Sequence, residues 1–290
     1  MNSKIVLTIQ KQLKNLTNKK FSKKYINKKI LPVINHIVSS NKKKFLIGGS
    51  QGVGKSTLVY VIKKNIQTFY NKRVLTLSLD DYYLSKKKRF SLSKKIHPLL
   101  STRGVPGTHN IKLLINHIKQ FNNSKYPINI PIFDKLIDDS LSKKRKENSK
   151  ADILILEGWC CGAKQMKNNF LLKNINLLEK NQDKKYLWRK YYNNKLKYEY
   201  HDLFKMFDYK IFLKASSFKY VLNWRLKQEK MKKSKLNIQK KMDQKNLIIF
   251  IQNYEKLTRW MLKNHKTMFD LIIKVNNKQK IIAITKNKIN

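Results

Sequence analysis

The sequence predicts an α/β fold built on a mostly parallel β-sheet, and two observations lead to that prediction. Five short, nearly continuous apolar runs have the character of strands that are buried on both faces of a sheet. Longer segments between them carry apolar residues at helical spacing. Because the two kinds of segment alternate along the chain, helices are expected to flank the sheet.

Each predicted element can be placed on the chain. The strands are "KFLIGG" (44–49), "RVLTLSLDD" (73–81), "ADILILEGW" (151–159), "YKIFLKAS" (209–216) and "FDLIIKV" (269–275). The helices are "STLVYVIKKNIQTFY" (56–70), "NIKLLINHIKQF" (110–121) and "FKYVLNWRLKQE" (218–229). Residues 1–43 carry two weaker helical patterns, and we expect them to form a helical extension packed on the core. No Ser/Gly-rich or Pro-rich linker divides the chain, so residues 44–290 are interpreted as one domain with that extension.

The charge balance is strongly basic. The chain has 65 Lys and Arg against 17 Asp and Glu, a formal net charge of +48. Such a field attracts polyanions, which makes nucleic acid a partner to consider. The lysines are spread evenly, however, rather than clustered with arginines and interleaved aromatics. We therefore expect weak nonspecific polyanion binding and no specific nucleic-acid partner.

The cysteines and the apolar runs indicate in which cellular compartment the protein is expected. Cys160 and Cys161 are adjacent, so they can form neither a disulfide framework nor a zinc site. No uninterrupted apolar run approaches the roughly 18 residues of a membrane helix, and the first 20 residues lack a continuous apolar signal core. The expectation is a cytoplasmic protein without a membrane partner; its oligomeric state does not follow from the sequence.

A phosphate-binding motif follows the first predicted strand. Residues 49–56 read "GSQGVGKS" and satisfy the pattern G-x-x-x-x-G-K-[ST] between a strand and a helix. In such a P-loop, backbone N–H groups and the helix N-terminus surround the phosphates of a nucleotide. Lys55 is expected to reach the β- and γ-phosphates, and the Ser56 hydroxyl to coordinate Mg²⁺. The predicted nucleotide contacts are Gly49, Ser50, Gln51, Gly52, Val53, Gly54, Lys55, Ser56 and Thr57.

Acidic residues stand at the ends of two other predicted strands. Asp80 and Asp81 are the first acids in the chain and directly follow the second strand, while Glu157 closes "ADILILE". Ligands of open α/β sheets bind at the carboxyl ends of the strands, which places these acids opposite the P-loop. Asp80 and Asp81 are expected to serve the acceptor hydroxyl, and Glu157 to order the Mg²⁺ shell with Ser56.

The absence of other nucleotide motifs narrows the class. The sequence contains no N-K-x-D guanine motif, no D-x-x-G switch and no second lobe of a helicase. A small-molecule kinase remains as the main hypothesis.

Seven ordered stretches carry a family resemblance. They are "GGSQGVGKSTL", "LSLDDYYLS", "HPLLSTRGVPGTHN", "IPIFDKLIDD", "LILEGWCCG", "WRLKQE" and "QNYEKLTRWML". Together they resemble the motif series of the D-glycerate 3-kinase family, in the group of phosphoribulokinase, uridine kinase and pantothenate kinase. The resemblance implies a P-loop NTPase fold with a five-stranded parallel sheet of the nucleoside-monophosphate-kinase type, a central P-loop strand and a lid.

The resemblance also implies residue roles. Asp80 is implied as the general base, and the acceptor-binding residues are implied to be Arg103, His109 and Asp134. Arg225 begins the implied lid, where its cation is implied to close on the transferring phosphate of the nucleotide, and "KQEKMKKSKLNIQKKMDQKN" continues the lid. The implied cofactors are ATP and Mg²⁺. One departure is Asn110, which stands where the family commonly has Asp.

Three functions stay open at this point. The first is phosphorylation of D-glycerate to 3-phosphoglycerate. The second is the same chemistry on a nucleoside, pantothenate or another sugar acid, since kinases of this group share the phosphate machinery and differ in their loops. The third is a basic, nucleotide-dependent protein that binds RNA or another polyanion.

Overall fold

Helices and strands alternate along the chain, as the apolar pattern predicts. The structure, a computed structural model, describes residues 2–233 and 244–287. The α-helices in those ranges are α1 (Asn2–Thr17), α2 (Lys23–Tyr25), α3 (Leu31–Ser39), α4 (Lys55–Phe69), α5 (Lys86–Lys95), α6 (Ile111–Asn122), α7 (Asn168–Leu171), α8 (Leu177–Gln182), α9 (Leu187–Lys197), α10 (Glu199–Lys205), α11 (Phe218–Lys233) and α12 (Gln244–Asn264). The strands there are β1 (Lys44–Gly49), β2 (Val74–Ser78), β3 (Ile128–Ile130), β4 (Phe133–Asp134), β5 (Asp139–Ser140), β6 (Arg145–Glu147), β7 (Ile153–Gly158), β8 (Tyr209–Ala215), β9 (Leu271–Val275) and β10 (Ile281–Lys286). A π-helical turn lies at Ile26–Ile30, and 3₁₀ turns lie at Leu79–Tyr82, Pro98–Ser101 and His265–Thr267.

The central sheet has the order β10-β9-β8-β1-β7-β2, with the P-loop strand β1 inside it. Strands β2, β7, β1, β8 and β9 are parallel, and they coincide with the five apolar runs of the sequence. The predicted α/β class is therefore confirmed. Strand β10 pairs antiparallel with β9 at the edge, an addition that the run "IIAITK" did not indicate by itself.

The pleat of β1 and β7 separates two apolar cores. Phe45 and Ile47 pack on one face with side chains of α1, α3 and α4. Leu46 packs on the other face with side chains of α6, α9 and α12. Because successive strand residues point to opposite faces, a continuous apolar run supplies both cores. This is why the core strands read as unbroken apolar segments rather than alternating ones.

The N-terminal helices share a core with the sheet. Ile5, Val6, Ile9 and Leu13 recur at helical spacing on α1 and are buried in the layer that also contains α4. The side-chain amide of Asn65 on α4 donates to Gln12 Oε1 across 2.7 Å. We propose that residues 2–43 and the sheet fold as one unit.

A buried cluster of ion pairs connects three helices next to the apolar core that contains Leu46. Arg189 on α9 donates to the carboxylate of Asp183 across 2.7 Å and lies 3.4 Å from Glu179. Lys256 on α12 lies 3.3 Å from the same Glu179 carboxylate. All four side chains are at most 2% exposed. Buried charges need such partners, because each charge leaves water at a cost of several kcal/mol.

The implied lid lies between α11 and α12. Its central residues, 234–243, fall outside the described residues. Arg225, on α11, is described and borders the cleft considered below. None of the helices in the described ranges is long and apolar enough to cross a membrane.

Candidate active site

The P-loop connects the carboxyl end of β1 to the N-terminus of α4. Gly54 caps α4 with φ at +103°, a conformation that disfavours any residue with a Cβ. One side-chain donor of the loop, the Ser50 hydroxyl, is buried without a hydrogen-bond partner among the described residues. A helix N-terminus with unpaired donors is a site for an anion. The loop therefore fits the phosphates of a nucleotide.

Lys55 lies within this loop and is largely buried. Its Nζ donates to the backbone carbonyls of Gly49 at 2.8 Å and Ser50 at 3.1 Å. Burial lowers the pKa of Lys55, whereas the carboxylates of Glu157 and Asp80 act in the opposite direction. Two of its three N–H groups are used by the loop, so the ammonium is held in place where phosphate oxygens would bind.

Three neighbouring side chains join the P-loop to the adjacent strands. The Ser56 hydroxyl donates to Glu157 Oε1 at 2.8 Å, and the Ser78 hydroxyl donates to the same oxygen at 3.3 Å. Ser78 and Glu157 are partners in the register of β2 and β7, which brings them together at the carboxyl edge of the sheet. A hydroxyl and a carboxylate at this distance are suitable ligands for a hard cation such as Mg²⁺.

Asp80 faces the P-loop from the turn that follows β2, and it is paired with a lysine. Lys135 Nζ donates to Asp80 Oδ2 across 2.6 Å, and both side chains are partly exposed. Enclosure in the protein raises the pKa of Asp80, but Lys135 and Lys55 lower that pKa by more, to about 2. Asp80 is consequently a carboxylate at neutral pH.

These groups line one cleft with a volume of about 220 Å³ that is open to solvent. Arg103 and Arg225 also border it, from the loop before α6 and from α11 respectively. Arg103 forms an ion pair with Asp138, and its guanidinium lies 5.7 Å from the ring centroids of Phe133 and Phe250. Four cations, counting Lys55 and Lys135, thus border the same space as Asp80 and Glu157.

No family model matches the chain. A curated relative, the "uncharacterized kinase mug58" of Schizosaccharomyces pombe, is 31% identical over 240 residues, and the match covers 78% of this chain and 84% of the relative. The solved structure of a D-glycerate 3-kinase from Cryptococcus neoformans var. grubii superposes with a TM-score of 0.70 at 25% identity, over 89% of this chain and 96% of that one. The chain belongs to the P-loop kinase group of the D-glycerate 3-kinases. It is an ATP-dependent kinase. A more distant relative, the chloroplastic D-glycerate 3-kinase of Arabidopsis thaliana, is 24% identical over 194 residues, which cover 62% of this chain and 39% of that protein.

The kinase brings most of the sequence-predicted residues to the cleft. Besides Asp80, Arg103 and Arg225, its lining includes Gln51, Gly52, Lys55, Ser56 and Glu157. Gly49 and Ser50 contribute the carbonyls that hold Lys55, and Ser50 is buried beneath the loop.

Val53 and Thr57 turn away from this space. Val53 packs in the apolar layer under the loop, and both residues border a separate cavity against the N-terminal helices.

Asp81 and Asp134 are placed elsewhere. Asp81 borders a neighbouring groove with Thr76 and Arg145, and burial raises its pKa to about 6. Asp134 accepts a hydrogen bond from the backbone N–H of Leu136 at 2.7 Å and is absent from the cleft lining. The structure brings neither carboxylate to the cleft, because the residues next to them in sequence, Asp80 and Lys135, take that position.

His109 lies directly behind the cleft wall. Its ring stacks on Tyr83 with centroids 4.3 Å apart, and Tyr83 lines the cleft. Burial lowers the pKa of His109 to about 3, while the charge of Asp80 acts to raise it. His109 is therefore a neutral, buried imidazole behind the Tyr83 wall of the cleft.

Several residues of the cleft have no role in the predictions from the sequence. Lys135 stands next to Asp134 in the family-like stretch "IPIFDKLIDD", and it contacts Asp80. Trp159, Phe250 and Tyr254 form aromatic walls of the cleft. Trp159 and Tyr254 stand inside the family-like stretches "LILEGWCCG" and "QNYEKLTRWML", which was the available signal. Their direction depends on packing, as the edge-on contact of their rings at 4.9 Å illustrates.

Asn110, which replaces a charged residue of the family pattern, caps a helix. Its side-chain oxygen accepts from the backbone N–H of Leu113 across 3.2 Å at the N-terminus of α6. Asn and Asp serve almost equally well at this position. The loss of charge is therefore compatible with the same local structure.

Proposed function

We propose that this kinase transfers the γ-phosphoryl group of ATP to a hydroxyl of a small carboxylic acid, and that D-glycerate is the acid, giving 3-phosphoglycerate. The observation that carries the proposal is the composition of one cleft. A deprotonated carboxylate, Asp80, lies there with two cations, Arg103 and Lys135, that suit an anionic acceptor. Two relatives named D-glycerate 3-kinase support the choice of acid.

The donor side of the cleft suits Mg²⁺ and ATP. Ser56 and Glu157 would hold the metal, and Lys55 with the P-loop N–H groups would hold the phosphates. When bound, the metal nucleotide supplies the electrophilic phosphoryl group and neutralises part of its charge. Within the described residues no cluster of three His, Cys, Asp or Glu side chains could bind a metal alone, which fits a cation shared between the protein and a nucleotide.

On the acceptor side, the proposal assigns a role to each charged group. Asp80 accepts the proton of the acceptor hydroxyl, while Arg103 and Lys135 bind the acceptor carboxylate. Transfer of Lys135 from Asp80 to the acceptor removes a positive charge from Asp80, which raises the pKa of that carboxylate and makes it a better base. Arg225 approaches from α11 to stabilise charge on the transferring group.

The test measures ADP release from the purified protein with Mg²⁺ and ATP, with and without D-glycerate. We expect D-glycerate to stimulate ADP release, and Asp80→Asn to lower turnover by about a hundredfold or more, the scale of a lost general base. ATP binding, measured by calorimetry, should stay the same in that variant.

The matched control is Asp152→Asn. Asp152 accepts from the backbone N–H of Arg73 at the opposite edge of the sheet, far from the cleft lining. Wild-type turnover by Asp80→Asn would exclude Asp80 as the base. Tight ATP binding without stimulation by D-glycerate would exclude this acceptor and direct the assay to pantothenate, nucleosides and other sugar acids.

A further inference from the structure

The turn between β9 and β10 contacts the P-loop from outside the cleft. Gln279 in this turn is half-buried, and its Nε2 donates to the backbone carbonyl of Gly52 across 2.6 Å. Gly52 lines the cleft, whereas Gln279 borders the separate cavity against the N-terminal helices. The two residues lie 227 positions apart in the sequence, so the fold alone brings them together.

A lysine of the N-terminal extension orients the amide of Gln279. Lys19 Nζ donates to Gln279 Oε1 at 3.1 Å and to the backbone carbonyl of Lys278 at 3.2 Å. A lysine has donors only, so it pairs with the oxygen of the amide. The amide nitrogen of Gln279 is thereby directed to the Gly52 carbonyl.

The backbone of Gln279 has an uncommon conformation. Its φ is +62°, a value that residues with a Cβ rarely adopt. Hydrogen bonds within the turn stabilise it, because Asn276 Oδ1 accepts from the backbone N–H groups of Lys278 at 3.0 Å and Lys280 at 2.9 Å. Gly or Asn would adopt this conformation more readily, but neither has a side chain as long as that of Gln. Residues held in such conformations cluster at functional sites, and here the side chain contacts the P-loop.

The contact restrains a peptide group of the P-loop that is otherwise free to rotate. Gly52 has φ at +75° and no Cβ, so sterics allow its peptide with Val53 either orientation. In a trans peptide the C=O and N–H groups point in opposite directions. With the carbonyl turned to Gln279, the Val53 N–H reaches the Ser50 carbonyl of the same loop at 3.4 Å, a long contact that a phosphate oxygen can replace. The reversed peptide would turn the carbonyl oxygen toward the phosphates and repel them.

We propose that Gln279 is a positioning residue for the nucleotide: it holds the Gly52 carbonyl away from the phosphates and so keeps the N–H groups of the P-loop directed at them. Lys19 takes part by orienting the Gln279 amide. The inference rests on the proposed binding of ATP phosphates by the P-loop, and it is independent of the acid that is phosphorylated.

The test compares two variants that keep the length of the Gln279 side chain. Gln279→Met removes the donor without adding a charge. Gln279→Glu keeps an oxygen for Lys19 but has no donor for Gly52 as a carboxylate. We expect the Kd for ATP, measured by calorimetry with Mg²⁺, to rise about tenfold in both variants, the scale of one hydrogen bond. The KM for the acceptor should stay within about twofold.

The chain offers a matched control in Tyr25→Phe. Tyr25 Oη accepts from the backbone N–H of Ile281 on the same hairpin at 2.7 Å, and Tyr25 is not among the residues that line the cleft. Its loss weakens the attachment of the hairpin to the N-terminal helices but leaves the contact between Gln279 and Gly52. The unfolding temperature should fall, while the Kd for ATP stays at the wild-type value.

The outcomes separate this inference from the proposed function. An unchanged Kd for ATP in Gln279→Met would overturn the inference, and so would an equal rise in Tyr25→Phe or a rise confined to Gln279→Glu, which charge repulsion alone would explain. Lys55→Ala with wild-type affinity for ATP would exclude the P-loop as the phosphate site, whereas loss of affinity in Lys55→Ala but not in Gln279→Met would reject only the role of Gln279. If D-glycerate fails to stimulate ADP release, the comparison of ATP affinities still decides the inference.

Discussion

Replacement of Lys135 by Met distinguishes two contributions of this lysine, its ion pair with Asp80 and its proposed contact with the carboxylate of the acceptor. In the structure Lys135 pairs with Asp80 across 2.6 Å, with 45% of the lysine side chain and 30% of the aspartate side chain exposed. In the proposed reaction it binds the carboxylate of the acceptor instead. Met has a similar length and no charge, so Lys135→Met removes both ion pairs and keeps much of the apolar stem.

Lys135→Met is expected to change the KM for D-glycerate much more than the free energy of unfolding. A partly exposed ion pair contributes about 0.2–1 kcal/mol to the free energy of unfolding, so the stability should hardly change. A charge-assisted hydrogen bond to the acceptor is worth about 1.5–3 kcal/mol, which corresponds to a rise of roughly tenfold to a hundredfold in the KM for D-glycerate. The KM for ATP should stay within about twofold.

The substitution also has a consequence for pH. The ion pair with Lys135 lowers the pKa of Asp80, so its removal raises that pKa. A carboxylate base is active when deprotonated, and activity is lost as the pH falls through its pKa. The acid limb of kcat/KM should therefore move to higher pH in Lys135→Met.

The assay is steady-state ADP release with D-glycerate and with uncharged glycerol as acceptors, over a series of pH values. Lys143→Met, at an exposed lysine outside the cleft lining, serves as the control. We expect Lys135→Met to lose the preference of the wild type for D-glycerate over glycerol. An unchanged ratio of the two kcat/KM values would refute Lys135 as the residue that selects an anionic acceptor.

Three further predictions concern the donor side and the core. Lys55→Ala should weaken ATP binding or turnover by at least about tenfold, since it removes the cation held at the P-loop; equal binding and turnover would contradict the P-loop assignment. Glu157→Gln should raise the Mg²⁺ concentration for half-maximal activity by about 10–100-fold, the range for a lost partner of a metal site, and an unchanged titration would exclude this role. Arg189→Met should lower the free energy of unfolding by about 3–5 kcal/mol in denaturant titrations, because it leaves the buried carboxylate of Asp183 without its guanidinium partner. Lys195→Met removes a partly exposed i,i+4 pair with Glu199 and should cost at most about 1 kcal/mol, so similar losses in both variants would contradict the effect of burial.

The apolar pattern was sufficient for the parallel core of the fold. Each of the five predicted runs became a parallel strand, because burial on both faces demands an apolar residue at every position. The edge strand β10 was not predicted, because it is not buried on both faces. Residues 282–286 of this strand are half-buried or exposed, so burial does not require an apolar residue at each of these positions.

The sequence did not show which of two adjacent residues has its side chain in the cleft. Asp80 and Asp81 stand in one 3₁₀ turn, where successive side chains point about 120° apart. One carboxylate therefore enters the cleft and the other enters a different groove. The same holds for Tyr82, which packs in the core, and Tyr83, which lines the cleft.

The sequence by itself determined the phosphate-binding chemistry, because a P-loop is a local structure: residues 49–56 and the strand and helix beside them contain the required contacts. Only the tertiary structure decided which other side chains stand opposite the P-loop. Arg103 and Lys135 come from separate segments, and their position in the cleft with Asp80 depends on how the β4–β5 hairpin packs. Contacts between distant segments are set by the shape of the folded core, which short-range patterns do not encode.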